Sequence, residues 1–141
     1  MNLFNQKRPD FTAKDFQGSE DYESIASWWS SHGFEPMPLE YLPREGLVVW
    51  KDDVPAASGF IYPSPGTKIC YMVWILSNPQ LPAITRGKAI DHLLDSLILK
   101  ARGLGCKFVF TSSNHDGLNK KMQTKGFHVT ENPACNMLMR L

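Results

Sequence analysis

The sequence has few cysteines, three in 141 residues, and no two of them have the C-x-x-C spacing. Cys70, Cys106 and Cys135 therefore predict neither a zinc site nor a disulfide framework, and they suit a reducing compartment. No apolar run approaches the roughly 18 residues that a membrane helix requires. The first eleven residues also lack the hydrophobic core of a signal peptide. We therefore expect a cytoplasmic protein without a metal site and without membrane contact.

The composition is that of an ordinary globular chain. Hydrophobic residues make up 43% of the sequence and charged residues 21%, and no repeat or low-complexity tract interrupts it. A chain of this length can bury one core but is short for two. We therefore predict a single domain over residues 1–141.

Charge is divided unevenly along the chain. Residues 1–63 carry five Lys and Arg against ten Asp and Glu, whereas residues 86–128 carry eight against three. The basic half could meet an anion such as a cofactor phosphate, or the asymmetry could reflect solvated faces alone. Nucleic acid is an unlikely partner, because Lys120, Lys121 and Lys125 cluster without interleaved stacking aromatics.

The first half of the chain predicts a helix followed by strands. Apolar residues at helical spacing indicate a helix over 20–31, in which Trp29 belongs to the core. Three prolines then predict a stiff irregular loop over 33–45. Segments 46–53 and 56–63 are typical of an antiparallel hairpin. The segment 67–78 is apolar on both faces, which indicates a central strand covered on both sides.

The second half predicts the remaining elements. An apolar stripe from Ile90 to Ala101 indicates a long helix that begins near Arg86 and ends at Gly103. Pro82 is an alternative start, because proline is favoured at a first helical position. A buried strand (106–112), a short basic helix (114–126) and two closing strands (127–131 and 135–141) follow. The fold class is therefore α/β, a mixed sheet flanked by helices.

This order of elements resembles the GNAT superfamily of acyl-CoA-dependent N-acetyltransferases. The resemblance covers roughly residues 8–141 and is supported by two short motifs, Arg86-Gly87 at the start of the long helix and Lys125-Gly126-Phe127 after the short one. It implies parallel pairing of the central strand with the strand after the long helix, and acetyl-CoA bound between them. The free N–H groups and dipole of the long helix would hold its pyrophosphate.

The resemblance also implies the cofactor-binding residues. The family's phosphate turn, Gln/Arg-x-x-Gly-x-Gly/Ala, falls on this chain as Arg86, Gly87, Lys88, Ala89, Ile90 and Asp91. We expect a usable but weakened turn over Thr85–Ile90, because Ala89 and Asp91 depart from the pattern. In the central strand, Trp74, Ile75 and Leu76 would contact the cofactor, and a backbone N–H there would polarise the thioester carbonyl. Asn114 matches an asparagine common in the family.

Both usual proton carriers of the family are missing. The central strand has only Tyr71 and Cys70 as ionisable side chains where many relatives carry a glutamate, and Met122 stands where many carry a tyrosine. His115 could act as the acid or base, since imidazole exchanges protons near neutral pH. A polar residue at a helix start is the structural alternative for His115.

Two functions follow from these observations. The first is an N-acyltransferase that transfers an acetyl group from acetyl-CoA to an amine of a small molecule or protein. The second is a catalytically degenerate protein of the same fold that binds and modulates a protein partner. Loop 33–45 would border the acceptor or partner surface in either case, with Phe34, Met37 and Tyr41 exposed. Whether the protein is an enzyme, and its oligomeric state, stay open.

Overall fold

The computed structural model describes residues 10–141, which fall into two compact units, 10–110 and Thr111–Leu141. Within the described residues, five strands and three helices follow one another. They are β1 Phe11–Asp15, α1 Ser19–Ser31, β2 Glu45–Lys51, β3 Val54–Pro63, β4 Ile69–Ser77, α2 Ala83–Gly103, β5 Phe108–Thr111 and α3 Asp116–Thr124, with a single 3₁₀ turn at Leu39–Tyr41. No helix of the described residues combines the length and apolarity needed to cross a membrane.

One sheet contains all five strands in the order β1-β2-β3-β4-β5. The first four strands pair antiparallel with their neighbours. β5 runs in the same direction as β4. The residues at the start of the two strands are hydrogen-bonded to each other, and residues two or three positions later in each strand are also in contact. The N–H groups of Lys107 and Phe108 donate to the carbonyl of Lys68, at 2.7 and 3.2 Å, and the rings of Tyr71 and Phe110 are 5.2 Å apart. The mixed α/β sheet and the parallel central pair are therefore confirmed.

Buried side chains cover both faces of the sheet at β2, β3 and most of β4. β5 is not covered, since Phe108 is 72% exposed, so the prediction of a buried strand over 106–112 was wrong in this respect. On one face, α1 contributes Ile25, Trp28 and Trp29 to a cluster with Phe60 and Leu76, so the core position of Trp29 is confirmed. The other core is formed by the apolar stripe of α2, whose buried members are Ala89, Leu93, Leu94, Leu97 and Ala101. Four of them recur at i, i+4, i+8 and i+12 and Leu94 lies beside them at i+5, which places all five along one side of the helix.

Each helix ends in the same way. Gly33, Gly105 and Gly126 follow α1, α2 and α3 with positive φ angles of 84, 83 and 109°. In each case the next residue's N–H reaches back five positions, as from Phe127 to Met122 at 3.1 Å. This is the Schellman arrangement, which favours glycine because a Cβ is strained there. The Lys125-Gly126-Phe127 motif thus has a structural role as a helix end.

Two strand predictions were wrong and one strand was missed. β1 was not predicted, because its burial alternates only weakly and its pairing with β2, Phe11 opposite Lys51, is long-range. The expected strands 127–131 and 135–141 are absent from the described chain, where these residues have no regular structure. Their alternating apolar residues give strand propensity, but a strand also needs a ladder partner. Met137, Leu138 and Met139 remain largely exposed.

Candidate functional site

β4 carries a bulge in its middle. Ser58 pairs with Leu76 and Phe60 pairs with Val73, so the two residues Trp74 and Ile75 stand opposite Gly59 alone. Trp74 has a φ of 57°, a conformation that costs a side-chain-bearing residue on the order of 1–3 kcal/mol. A bulge leaves its extra residue outside the ladder. The central strand therefore presents backbone at Trp74 and Ile75 that has no register partner in β3.

The side chain of Trp74 is held by its neighbours. Its ring meets the ring of Trp29 edge-on, with centroids 6.1 Å apart and an interplanar angle of 79°. Its Nε1–H donates to the Tyr62 hydroxyl at 3.3 Å, and that hydroxyl donates to the carbonyl of Tyr41 at 2.6 Å. This packing offsets the backbone strain, and it connects the bulge to loop 33–45.

Gly59 allows this bulge to lie close to α2. A Cβ at position 59 would come within 2.7 Å of Ile75 Cδ1 and 2.8 Å of Leu97 Cδ1, which is closer than real Cβ contacts. The bulged backbone, the glycine opposite it and the buried face of α2 therefore fit together as one packed unit. Of the predicted cofactor residues, Trp74 and Ile75 form the bulge, and Leu76 follows it in the strand and is buried in the cluster on the α1 face. Contact of all three with acetyl-CoA stays a prediction.

The helix start expected near Arg86 was wrong. α2 begins at Ala83 with Pro82 as its N-cap, and the N–H of Arg86 already donates to the Pro82 carbonyl at 2.9 Å. The N–H groups of residues 87–90 lie deeper in the helix and are used by its own hydrogen bonds. Because proline has no N–H, the free donors are the amides of residues 83–85. The free amide donors of the helix are thus one turn earlier than the motif indicated.

The side chains of the expected phosphate turn point in different directions. Ala89 is fully buried in the core, so the expected approach of a phosphate to residue 89 was wrong. Lys88 is exposed, whereas Gly87 and Ile90 are half-buried. The Nε atom of Arg86 is buried without a hydrogen-bond partner, although its residue is only half-buried. Of these residues, Arg86 and Lys88 keep a charged group near the start of α2.

Asn114 and His115 lie in the unit Thr111–Leu141, just before α3. His115 is the N-cap of that helix, and its Nδ1 accepts a hydrogen bond from the N–H of Leu118 at 3.1 Å. A neutral ring in this arrangement carries its proton on Nε2. His115 therefore has the helix-start role that the sequence offered as the alternative. Its role in proton transfer, and contact of the exposed Asn114 with the cofactor, stay predictions.

Loop 33–45 is exposed in part and anchored in part. Phe34 and Tyr41 are 66% and 56% exposed, as predicted. Met37 is half-buried and packs against the core cluster on the α1 face, so its predicted exposure was wrong. The physical reason is an anchor, since the Tyr22 hydroxyl donates to the Met37 carbonyl at 2.9 Å. The loop therefore holds its aromatic side chains on a fixed backbone.

An aromatic groove between β3, β4 and β5 was not found in the sequence. Its volume is about 440 Å³. We define it by the side chains of Tyr62, Tyr71 and Phe110, with Ile69, Pro63 and Pro65 at its rim. The alternation of aromatic residues along the strands was the available signal, but strand pairing was needed to bring them together. Within residues 10–141, no three His, Cys, Asp or Glu side chains come together as a metal site would require.

Cys70 lies beside this groove, and its side chain is buried. Burial, followed by a hydrogen bond and charge interaction with Cys106, raises the pKa of the Cys70 thiol to about 12. The thiolate is the nucleophilic form. Cys70 therefore cannot supply the nucleophile or base that the central strand lacks.

Sequence comparison finds no relative, whereas structural comparison finds many. No protein-family model and no curated protein sequence matches the chain. An acetyltransferase from Trypanosoma brucei is 19% identical with a TM-score of 0.65, over 93% of this chain and 99% of that one. A probable acetyltransferase from meticillin-resistant Staphylococcus aureus is 13% identical with a TM-score of 0.66, over 93% and 99% of the two chains.

The third comparison is with a larger enzyme. N-acetylglutamate synthase from Neisseria gonorrhoeae, complexed with coenzyme A and N-acetyl-glutamate, is 20% identical with a TM-score of 0.71. The match covers 89% of this chain but only 30% of the synthase. These identities establish shared architecture and nothing finer. With its five-stranded mixed sheet and its three helices, this chain has the GNAT-like fold of these acetyltransferases.

Proposed function

We propose that the protein is an N-acyltransferase that transfers an acetyl group from acetyl-CoA to an amine of a small molecule or protein. The bulge at Trp74 and Ile75 carries this proposal. It costs backbone strain, it is stabilised by aromatic packing, and it frees backbone in the middle of the central strand of a fold shared with acetyltransferases. Strain of this kind is concentrated at functional sites.

The start of α2 has donors that fit the phosphates of acetyl-CoA. The amides of residues 83–85 are free of helix bonds, and the dipole favours an anion there. The unpartnered Nε of Arg86 supports the same assignment, because a buried guanidinium donor gains a partner if a phosphate binds. We assign the phosphate contacts to residues 83–85 and Arg86, with Lys88 adding charge.

The chain's contribution to the transfer would be positioning and polarisation. Acetyl-CoA supplies an activated thioester. The acceptor nitrogen forms a bond to the acetyl carbon, the carbon–sulfur bond breaks, and the proton lost by nitrogen ends on the thiol. A free N–H at Trp74 or Ile75 would donate to the carbonyl oxygen as charge develops there. Leu76, the next residue of the strand, would contact the cofactor.

His115 and Asn114 are the proposed proton-handling and contact residues of the second unit. His115→Ala and His115→Asn separate the two roles of the imidazole. Asparagine is a good N-cap and cannot exchange a proton at neutral pH. If His115 moves the proton, both variants lose acetyl transfer. If the ring serves only as a cap, His115→Asn retains activity and His115→Ala loses stability.

Calorimetric and thermal titration with acetyl-CoA tests the proposed function. Ligand at 100 times its dissociation constant should stabilise the fold by about 2.7 kcal/mol. Ala83→Pro removes one free amide at a position where proline is tolerated in a helix, and Ala83→Ser retains the amide as the matched control. We expect weaker binding in Ala83→Pro only. No binding of acetyl-CoA by the unmodified chain would refute the proposal.

The comparisons give no support to the alternative, a degenerate protein that binds a partner. The exposed Phe34 and Tyr41 are compatible with either role and distinguish neither.

A further inference from the structure

We propose that the aromatic groove binds a planar, uncharged ring of the amine acceptor, so that the acceptor class is an alkylamine that carries an aromatic ring. This assignment rests on the proposed acetyl transfer. Ring binding itself can be measured without acetyl-CoA, so the two proposals can fail separately.

The walls of the groove are three rings from three neighbouring strands. Tyr62 of β3 pairs directly with Tyr71 of β4, so both side chains stand on the same face of the sheet. Phe110 of β5 lies beside Tyr71, with an interplanar angle of 30°. The space of about 440 Å³ is within the range of small-molecule sites.

The groove leaves apolar surface in contact with water. Phe110 is 46% exposed and Ile69, at the rim, is 41% exposed. Both side chains belong to strands of the sheet, where an apolar residue is normally covered by another layer. A ligand that covers this surface gains from removing it from water.

The chemistry of the lining selects an uncharged ring. None of the residues that line the groove carries a charge at neutral pH. The Tyr62 hydroxyl is already engaged, since it donates to the Tyr41 carbonyl and accepts from Trp74. An anionic group in the groove would lose water without gaining a cationic partner, whereas an uncharged ring can pack against ring faces and edges.

The groove adjoins the bulge of β4. Tyr62 belongs to both, because its ring forms a wall of the groove and its hydroxyl contacts the indole of Trp74 at 3.3 Å. A ring in the groove is therefore separated by the Tyr62 side chain from the indole of Trp74, the residue whose backbone we assign to the reacting carbonyl. A short alkyl chain carrying the amine extends from the ring toward that backbone.

Saturation-transfer NMR with the full chain tests the assignment directly. The probes are 2-phenylethylamine and n-butylamine, which share a primary amine on an alkyl chain and differ in the ring. We expect saturation of 2-phenylethylamine, stronger at the ring protons than at the carbon beside nitrogen, and binding at least about tenfold tighter than that of n-butylamine. Equal binding of both amines, or no binding of 2-phenylethylamine, overturns the proposal.

Substitutions locate the ring in the protein. Phe110→Leu and Tyr71→Leu keep apolar volume but remove one wall ring each, and Phe34→Leu is the control at an exposed phenylalanine outside the groove. We expect about three- to tenfold weaker binding in each groove variant and no change in Phe34→Leu. Circular dichroism verifies folding, and Phe110→Leu is the safer variant because its ring is half in water. Unchanged binding in a folded Phe110→Leu overturns the proposal.

Acetyl-CoA titration of the same samples separates this proposal from the proposed function. Ring binding without acetyl-CoA binding retains the groove assignment as a ring site and refutes acetyl transfer. Acetyl-CoA binding without ring binding refutes the groove assignment alone. A groove closed by the chain's own C-terminal segment or by a second copy also gives no ring signal, and it refutes the groove assignment in the same way.

Discussion

The bulge of β4 and the first turn of α2 are close in sequence but are determined by different forces. At the bulge, a tryptophan adopts a left-handed backbone conformation that its residue type disfavours, and packing with Trp29 and Tyr62 holds it there. At the start of α2, the helix begins directly after Pro82, which is its N-cap and not its first helical residue, and the motif-like Arg86-Gly87 lies inside it. Tertiary packing overrides residue preference at Trp74, whereas α2 begins one turn before the position that the Arg86-Gly87 motif indicated.

Removing the Trp74 side chain should have the largest effect. Loss of a packed indole costs about 3–5 kcal/mol of unfolding free energy. In an ordinary strand Trp74→Ala would be more stable than Trp74→Gly, by about 0.5–1 kcal/mol. At a φ of 57° the order reverses, because a Cβ costs roughly 1–2 kcal/mol there.

Urea unfolding of both Trp74 variants measures this order. We expect Trp74→Gly to be the more stable of the two by about 1 kcal/mol. The opposite order would show that β4 passes position 74 without a left-handed residue, and the bulge would then lose its place in the proposed site.

The contact between the bulge and α2 is tested at Gly59. Gly59→Ala forces a methyl against Ile75 and Leu97, and such overpacking typically costs about 1–3 kcal/mol. Gly103 is the matched control, because a Cβ there meets nothing within 4 Å and the residue lies in α2. Gly103→Ala should stabilise by up to about 1 kcal/mol. Equal effects of the two changes in urea unfolding would contradict the close packing.

Prediction from the sequence succeeded where local pattern and tertiary packing agree. The stripe of α2, the hairpin of β2 and β3 and the apolar β4 were readable from periodicity, and their order was enough for the fold. The bulge could not be predicted from the sequence, because tryptophan has no preference for a positive φ. The bulge depends on the contact of Trp74 with Trp29, which is distant in sequence. The aromatic groove was hidden for the same reason, since Tyr62 and Tyr71 meet only after strand pairing.

The C-terminal end of α2 is held by charge. Lys100 Nζ lies 3.1 Å from Asp15 and 3.2 Å from Glu45, which connects the helix to β1 and β2. Burial lowers the pKa of Lys100, but hydrogen bonds and charge from the two carboxylates outweigh it and raise the pKa above its usual value. We expect Lys100→Met to lower the free energy of unfolding by about 0.5–1 kcal/mol near neutral pH.

The pH dependence of this loss follows from the raised pKa. A cation whose pKa is higher in the folded state stabilises fully below its unfolded pKa of about 10.4 and loses that contribution as pH rises through the folded pKa. The difference in unfolding free energy between the unmodified chain and Lys100→Met, measured by urea unfolding, should therefore be constant from about pH 7 to 9. It should become smaller above about pH 10.5. Lys88→Met, at an exposed lysine of the same helix, should show no such difference.

Thr85→Ala has the smallest expected effect, but its sign distinguishes the two possible starts of α2. With Pro82 as the N-cap, Thr85 is the third residue of the helix, where alanine stabilises by up to about 0.5 kcal/mol. If the helix began at Arg86, Thr85 would itself be the N-cap, and its loss would destabilise by about 0.5–2 kcal/mol.

Thr85→Ser is the control, since serine would cap as well as threonine but is a poorer helix former than alanine. A destabilised Thr85→Ala beside an unaffected Thr85→Ser in urea unfolding would place the free amides at residues 85–88 instead. The phosphate assignment would then move back to the Arg86-Gly87 motif.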